Sequence, residues 1–253
     1  MPRTHIPTIF SMLSVFSGFF AIKYALYGYY NNAIFFIILS AIIDGLDGLV
    51  AKKMKAVSTF GGQIDSLCDA FAFGFAPSIC LYFWYFSELK TLGWILCFII
   101  SSAMIFRLAR FNTIQIDKIS SYKGINTEMS FVGMPAPIFG IFTMLPIAIV
   151  AILDQMCQTS DIFCEYGLIE LYYSNIFKYL IIIYYMGISY FAISNIAFPV
   201  IKKSGFFKSN FIKLIFAAPF LALSIFNIYA TCVAICLVFI LYIMYNKIIK
   251  IGK

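Results

Sequence analysis

The chain has 253 residues, of which 62% are hydrophobic and only 11% are charged. Soluble domains usually carry about 25% charged residues, so this composition excludes an ordinary soluble enzyme. Intrinsic disorder is excluded too, because the 29 phenylalanines supply far more apolar surface than a disordered chain has. The composition predicts an all-α, polytopic integral membrane helix bundle that forms a single domain over residues 1–253.

Eight apolar stretches predict eight transmembrane helices. The last two belong to one long run, interrupted by Pro219 and Asn227, that would overshoot a bilayer core of about 30 Å as a single helix. Eight spans are therefore favoured, and seven spans are the alternative. The first stretch has no small-residue cleavage site, so we expect it to be a retained span. The predicted spans are 8–30, 32–51, 65–87, 91–112, 133–153, 176–200, 211–226 and 228–246.

The basic residues predict the orientation of the bundle. Fifteen of the 18 lysines and arginines lie before the first span or in and around the connections that follow the even-numbered spans. Basic loops favour the cytoplasmic side, so both termini are predicted to be cytoplasmic. The topology and attraction to anionic lipid explain the net charge of +7, and we expect no nucleic-acid partner. We predict a location in a prokaryotic cytoplasmic (inner) membrane, with any functional site on the basic side facing the cytoplasm.

Four of the seven aspartates are concentrated in one short window. Asp44 and Asp47 are spaced i, i+3 near the cytoplasmic end of the second span. Asp65 and Asp69 are spaced i, i+4 near the start of the third. Both spacings place a pair on one helix face, and the short connection makes the two helices antiparallel neighbours. We therefore expect four carboxylates to converge at the inner membrane surface.

Such a group of carboxylates predicts a divalent-cation site. Four carboxylates repel one another in a low-dielectric site, and all-oxygen ligands suit Mg²⁺, Mn²⁺ or Ca²⁺ better than zinc. Two cations about 4 Å apart are plausible, and such cations usually hold phosphate oxygens. The only histidine is His5, which excludes zinc-protease and Ser-His-Asp chemistry. An ion transporter, whose intramembrane acids line a pathway, is the non-enzymatic alternative. Small residues beside the acids leave room for a ligand: Gly45, Gly48, Ala51, Gly61 and Gly62.

The spacing of these residues resembles the motif of the CDP-alcohol phosphotransferases. That motif reads Asp-x-x-Asp-Gly-x-x-Ala-Arg, eight residues, Gly, three residues, Asp, three residues, Asp. The chain keeps every spacing and departs only at Lys52, where the family usually has Arg. Lysine keeps the positive charge but loses the bidentate fork. The matching residues are Asp44, Asp47, Gly48, Ala51, Lys52, Gly61, Asp65 and Asp69.

The resemblance implies a substrate, a mechanism and an oligomeric state. The substrate would be a CDP-linked lipid, whose pyrophosphate is neutralised by cations bound to the four aspartates. Asp69 would also be the general base that accepts the proton of the acceptor hydroxyl. A homodimer is expected from the resemblance alone. The residues that would bind the CDP-lipid are Gly48, Ala51, Lys52 and Gly61.

Three further stretches resemble the type II phosphatidylserine synthases within this family. They are the N-terminal IPTIFSMLSVFSGFFAI, the run FRLARFNT at 106–113 and the run FVGMPAPIFG at 131–140. This resemblance implies CDP-diacylglycerol as donor and L-serine as acceptor. The run SYFAISNIAFP at 189–199 also resembles the subfamily, which usually has Arg where this chain has Asn195.

The residues themselves select the acceptor less sharply. Arg107 and Arg110, spaced i, i+3, can face one side of a helix end, and an arginine fork binds a carboxylate such as that of serine. Glycerol 3-phosphate is also an anion, so arginine alone does not exclude it, and inositol is the other alternative. Asn112 is a further polar candidate for acceptor or phosphate binding. Both arginines could instead be positive-inside anchors.

Two other groups of residues have structural interpretations. The four tyrosines Tyr172, Tyr173, Tyr184 and Tyr185 are better explained as interfacial belt and core than as a site. Two cysteines in the acidic outer loop could pair if that side is oxidising, or could remain thiols. They are Cys157 and Cys164.

Overall fold

The computed structural model describes residues 6–54, 59–116, 121–122, 125–126, 130–159, 174–199 and 227–251. A π-helix, Ala70–Phe75, joins α3 to α4, and a 3₁₀-helix, Phe86–Leu89, precedes α5. The short strands are β1 (Ser121–Tyr122), β2 (Ile125–Asn126), β3 (Ser130–Val132) and β4 (Ala197–Pro199). The α-helices are α1 (Ile6–Leu26), α2 (Tyr30–Met54), α3 (Thr59–Asp69), α4 (Ala76–Trp84), α5 (Thr91–Ile116), α6 (Ala136–Thr159), α7 (Asn175–Ile193) and α8 (Ile228–Ile251).

The predicted helical membrane bundle is confirmed. Within the described residues, five helices are long and apolar enough to cross a membrane, and two shorter apolar helices, Tyr30–Leu46 and Ile228–Met244, accompany them. The α3, π and α4 segments form one continuous span. The five candidate spans are Thr8–Leu26, Phe60–Trp84, Thr91–Ile114, Ala136–Gln155 and Asn175–Ile193.

Two details of the predicted topology have different outcomes. The predicted seventh span, 211–226, lies outside the described residues, so the count of eight spans and the orientation of the termini stay predictions. The predicted end of the sixth span at residue 200 is wrong. Helix α7 ends at Ile193 because the backbone turns extended at Ser194 (φ −58°, ψ 157°), and β4 follows.

The core and the outer surface are both apolar. Large side chains such as Phe73, Phe139 and Tyr185 are fully buried where the helices meet. Phe98 and Ile183 remain about 70% exposed on the outside, as expected of side chains that face lipid tails instead of water. Hydrophobicity alone therefore separates core from surface poorly, and specific polar contacts between helices become more informative.

Serines fasten α1 to α2. The hydroxyl of Ser17 donates to the carbonyl of Phe36 (2.7 Å), and that of Ser40 donates to the carbonyl of Ser14 (3.0 Å). Small polar residues let two helix backbones approach closely in a membrane, where hydrogen bonds have no water to compete with. The contact fixes the position of α1, and so of Ser11, one turn before Ser14.

Two tyrosines of α7 donate hydrogen bonds to backbone carbonyls of α6 near its internal proline. Pro146 lies inside α6 and has no N–H, so the carbonyl of Phe142 loses its helical partner. The Tyr184 hydroxyl donates to that carbonyl (2.7 Å), and the Tyr185 hydroxyl donates to the carbonyl of Thr143 (3.0 Å). Tyr184 and Tyr185 thus pack in the interior. The other predicted members of their group, Tyr172 and Tyr173, lie outside the described residues, as do the side chains of Cys157 and Cys164.

The strands β3 and β4 join two distant parts of the chain. They pair antiparallel, with Phe131 opposite Phe198. Gly133 then turns with φ +84°, and a Cβ there would lie 2.5 Å from the carbonyl oxygen of Ala192. Only glycine fits this close approach. The runs FVGMPAP and SNIAFP, which are far apart in sequence, therefore meet at what we call the β3–β4 junction.

Candidate active site

Three of the four predicted aspartates meet in the structure. Asp44 comes from α2, and Asp65 and Asp69 come from successive turns of α3. One carboxylate oxygen from each lies within 4.8 Å of the other two. We call these three residues the carboxylate cluster. Asp44 lies in the half of α2 that is nearer the 55–58 connection. Asp65 and Asp69 lie in the nearer half of the continuous span Phe60–Trp84.

Asp69 is the most enclosed member of the carboxylate cluster. Its side chain is only 9% exposed, and it lies within hydrogen-bonding reach of Asp44. Its Oδ1 atom has no hydrogen-bond partner within the described part of the chain. Buried carboxylates this close repel one another unless a cation or a proton lies between them. The close approach of three carboxylates and the all-oxygen donor set fit a hard divalent cation.

The remaining predicted members of the motif are placed only in part. Asp47, Gly48, Ala51 and Lys52 continue α2, but their side chains lie outside what the structure describes. Gly61 is half-buried on α3, one turn before Asp65. Two neighbouring glycines open onto free space, since no described heavy atom lies within 4 Å of a Cβ built on them: Gly45 and Gly62.

Helix α1 reaches the carboxylate cluster through a serine. The Ser11 hydroxyl donates to Oδ1 of Asp65 over 3.5 Å, and Ser11 itself is buried. Sequence reasoning missed Ser11. The available signal is the series Ser11, Ser14 and Ser17, which repeats every three residues and so marks one polar face of an apolar helix.

A second polar contact fixes α3 against α5. The Ser66 hydroxyl donates to Oδ1 of Asn112 (2.8 Å), and the Asn112 amide donates to Gln63 (3.3 Å). Ser66 directly follows Asp65, so this contact holds the carboxylate-bearing face of α3 in place. Asn112, predicted to bind acceptor or phosphate, is engaged in holding these helices together. Ser66 and Gln63 carry no sequence signal that singles them out.

Arg107 faces the carboxylate cluster from α5. The side chain is 6% exposed, and its charge acts on both Asp69 and Asp44. Its guanidinium carbon lies 5.4 Å from the centre of the Phe111 ring. Its Nε has no hydrogen-bond partner in the described ranges. A buried guanidinium with an unused donor beside carboxylates is well suited to bind an anionic group of a ligand.

Arg110 points to a different region. It donates to the backbone carbonyls of Val132 (3.0 Å), Ala192 (3.3 Å) and Ser194 (3.1 Å), and also to that of Ile193. The last three carbonyls lie at the C-terminal end of α7, where helices leave carbonyls without partners. Arg110 also donates to Asn195 (3.4 Å), so the residue that departs from the subfamily pattern contacts this arginine. Arg110 therefore holds α5, α7 and the β3–β4 junction together.

Comparison with known proteins points to one family. A sequence profile of the CDP-alcohol phosphatidyltransferase family matches residues 4–166. A Mycobacterium tuberculosis protein named CDP-diacylglycerol–serine O-phosphatidyltransferase is 39% identical over 132 residues, which are 52% of this chain and 45% of that protein. The chain thus spans about half the length of the mycobacterial relatives.

Two relatives of the same name match over most of their length. The Helicobacter pylori protein is 32% identical over 233 residues, covering 89% of this chain and 87% of the relative. The Bacillus subtilis protein is 29% identical over 199 residues, covering 79% of this chain and 92% of the relative. With the profile match and the spaced aspartates, these relationships show that the chain belongs to the CDP-alcohol phosphatidyltransferase family.

Proposed function

We propose that this protein transfers the phosphatidyl group of CDP-diacylglycerol to the hydroxyl of L-serine, giving phosphatidylserine and CMP. The observation that carries the proposal is the convergence of Asp44, Asp65 and Asp69 beside Arg107 in a membrane protein of this family. The names of the relatives support the donor and the acceptor. A donor with lipid tails also explains why the carboxylates lie among apolar helices.

The carboxylate cluster would hold a divalent cation, Mg²⁺ or Mn²⁺. Asp44, Asp65 and Asp69 supply the oxygen ligands, and Asp47 on the same helix as Asp44 would be the fourth. We propose that the four aspartates together bind two cations. When bound, the cation neutralises pyrophosphate charge and stabilises the departing CMP.

Asp69 would act as the general base. Its Oδ1, which has no partner among the described groups, accepts the proton of the serine hydroxyl. The serine oxygen then forms a bond to the phosphorus that carries the diacylglycerol. The bond from that phosphorus to the bridging oxygen breaks, and CMP leaves with the electron pair. Burial excludes water, which would otherwise compete with serine as acceptor.

Arg107 is the strongest candidate for binding the acceptor. Its buried guanidinium could pair with the serine carboxylate next to Asp69. Arg110 and Asn112 complete the predicted acceptor and phosphate set. Their present contacts favour the view that they position α5, from which Arg107 projects.

The donor and the membrane arrangement complete the proposal. We propose that Gly48, Ala51, Lys52 and Gly61 bind the CDP-lipid. The protein would be a single-domain homodimer with eight spans, both termini in the cytoplasm, in a prokaryotic inner membrane. The active site would open on the cytoplasmic face, because the basic connection 52–55 lies next to the aspartates.

The test supplies purified protein with CDP-diacylglycerol and Mn²⁺ or Mg²⁺. L-serine, inositol and glycerol 3-phosphate are added in turn, and CMP and lipid products are measured. We expect CMP release that requires both the cation and serine, with phosphatidylserine as the lipid product. Asp69→Asn protein is the control for contaminating activity.

Other results would redirect the proposal. Release driven by inositol or glycerol 3-phosphate would keep the chemistry and replace the acceptor. Cation uptake into sealed vesicles without any CDP-lipid, combined with no CMP release, would favour the transporter alternative.

A further inference from the structure

Asp69 directly precedes a rare break in helix geometry. The chain is α-helical from Thr59 to Asp69, π-helical over Ala70–Phe75, and α-helical again from Ala76. The N–H of Ala76 donates to the carbonyl of Phe71, a spacing of five residues where an α-helix has four. A π turn accommodates an extra residue, which rotates the preceding turn by about 100° relative to an uninterrupted α-helix. The direction of Asp69 is therefore set by this segment.

The π-helix is confined by close contacts on three sides. On α5, a Cβ built on Gly74 would lie 2.9 Å from Cβ of Met104. On α6, a Cβ built on Gly140 would lie 2.9 Å from the Phe73 ring and 3.2 Å from its Cα. On α1, one built on Gly18 would lie 3.3 Å from Phe71. In each case the absence of a side chain permits the approach.

The contact of the π-helix with α5 links the position of Asp69 to that of Arg107. Met104 lies three residues, about one helical turn, before Arg107. Gly74 lies five residues after Asp69, at the far end of the π-helix. The Gly74–Met104 contact therefore fixes the position of Asp69 along the helix axis relative to Arg107 on α5. The Ser66–Asn112 hydrogen bond fixes the same two helices nearer the helix ends.

We propose that the π-helix, held by Gly74 against Met104, positions Asp69 for catalysis, so that Gly74 is a positioning residue of this enzyme. The inference rests on the proposed function, in which Asp69 accepts the hydroxyl proton. Displacing a catalytic group by about 1 Å can lower a rate about 100-fold, so a single methyl group at this contact has a measurable effect.

The test compares Gly74→Ala with Gly187→Ala. Gly187 lies on α7 with no described atom within 4 Å of an added Cβ, so its substitution is the matched control. We expect Gly74→Ala to lower kcat at least tenfold with KM for CDP-diacylglycerol changed less than twofold. Mn²⁺ binding, followed by electron paramagnetic resonance without substrate, should weaken about tenfold. Gly187→Ala should change none of these.

A second substitution tests whether the contact itself is responsible. Met104→Gly added to Gly74→Ala removes the two atoms nearest to the new methyl group, and it should restore much of the kcat and the Mn²⁺ affinity. If Gly74→Ala does not fold, Gly140→Ala presses on Phe73 from α6 and should give the same kinetic pattern. Normal kcat and Mn²⁺ affinity in folded Gly74→Ala, or in folded Gly140→Ala, would overturn the inference.

The two proposals fail in different ways. An inactive wild-type protein that still binds Mn²⁺ would contradict the proposed reaction, while the Mn²⁺ measurement would continue to test the position of Asp69. An active wild-type protein with an unaffected Gly74→Ala variant would retain the reaction and refute the positioning role.

Discussion

Arg107 and Arg110 lie one turn apart on α5 and have opposite surroundings. Arg107 is buried beside Asp69 and Asp44, with a donor that no described group uses. Arg110 gives its donors to backbone carbonyls of α7 and β3. The first arrangement leaves binding capacity for a ligand, and the second consumes it in holding elements together. The sequence does not distinguish these two arginines, yet their roles differ. Arg107 is available to bind a ligand, and Arg110 holds secondary-structure elements together.

The largest effect is expected in the carboxylate cluster beside Arg107, from Asp69→Asn. The amide keeps the size of the side chain but cannot accept the hydroxyl proton and is a poorer cation ligand. Turnover should fall by about 10²–10⁴-fold, while the thermal unfolding midpoint stays the same or rises, because a buried charge is removed. CMP release and thermal unfolding in detergent measure the two effects. Asp154→Asn, at an exposed position on α6, is the control that should change neither.

Arg107→Lys tests whether this arginine binds the acceptor. Lysine keeps the charge and loses the planar fork, so kcat/KM for serine should fall by about 10- to 100-fold. The KM for CDP-diacylglycerol should change much less. Equal losses for both substrates would contradict a specific role at the acceptor and indicate general damage to the carboxylate cluster.

Arg110→Lys should show the reverse pattern. One ammonium group cannot reach all the carbonyls that the guanidinium satisfies, and each lost charged hydrogen bond contributes about 1.5–3 kcal/mol. The thermal midpoint should fall by several degrees, since about 1 kcal/mol corresponds to roughly 2–4 °C in a protein of this size. Steady-state kinetics of the surviving folded fraction should keep KM for serine within about twofold. A large rise in that KM would instead place Arg110 in the acceptor site.

Sequence reasoning succeeded where structure depends on neighbours along the chain. The apolar runs located the described helices to within several residues, and the i, i+4 spacing placed Asp65 and Asp69 on one face of α3. The convergence of these residues with Asp44 follows from a connection of only a few residues. Helical periodicity is a local property, so local sequence determines it.

The division between Arg107 and Arg110 could not be predicted in this way. Arg110 is held by carbonyls 82 to 84 residues away, at a helix end whose position depends on the pairing of β3 with β4. Apolar composition predicted a longer sixth span because Ala197 and Phe198 suit a membrane helix equally well. The π-helix after Asp69 likewise depends on packing against α1, α5 and α6, which no local pattern in the chain records.

The smallest effect is expected from Tyr184→Phe, beside Pro146 of α6 and away from the β3–β4 junction. There Tyr184 performs the same task as Arg110, because its hydroxyl satisfies a backbone carbonyl that the helix cannot. The bond joins neutral groups, and side-chain hydrogen bonds in membranes contribute about 0.6 kcal/mol on average and up to about 1.7 kcal/mol. At the average value, Tyr184→Phe should lower the thermal midpoint by only about 1–2 °C and leave CMP release unchanged. Tyr190→Phe, at a position that is 67% exposed, is the matched control and should have no effect. If Tyr184→Phe lowered stability as much as Arg110→Lys, the charge on Arg110 would not strengthen its hydrogen bonds relative to the neutral one. If Tyr184→Phe slowed CMP release, the contact between α6 and α7 would contribute to catalysis as well as to stability.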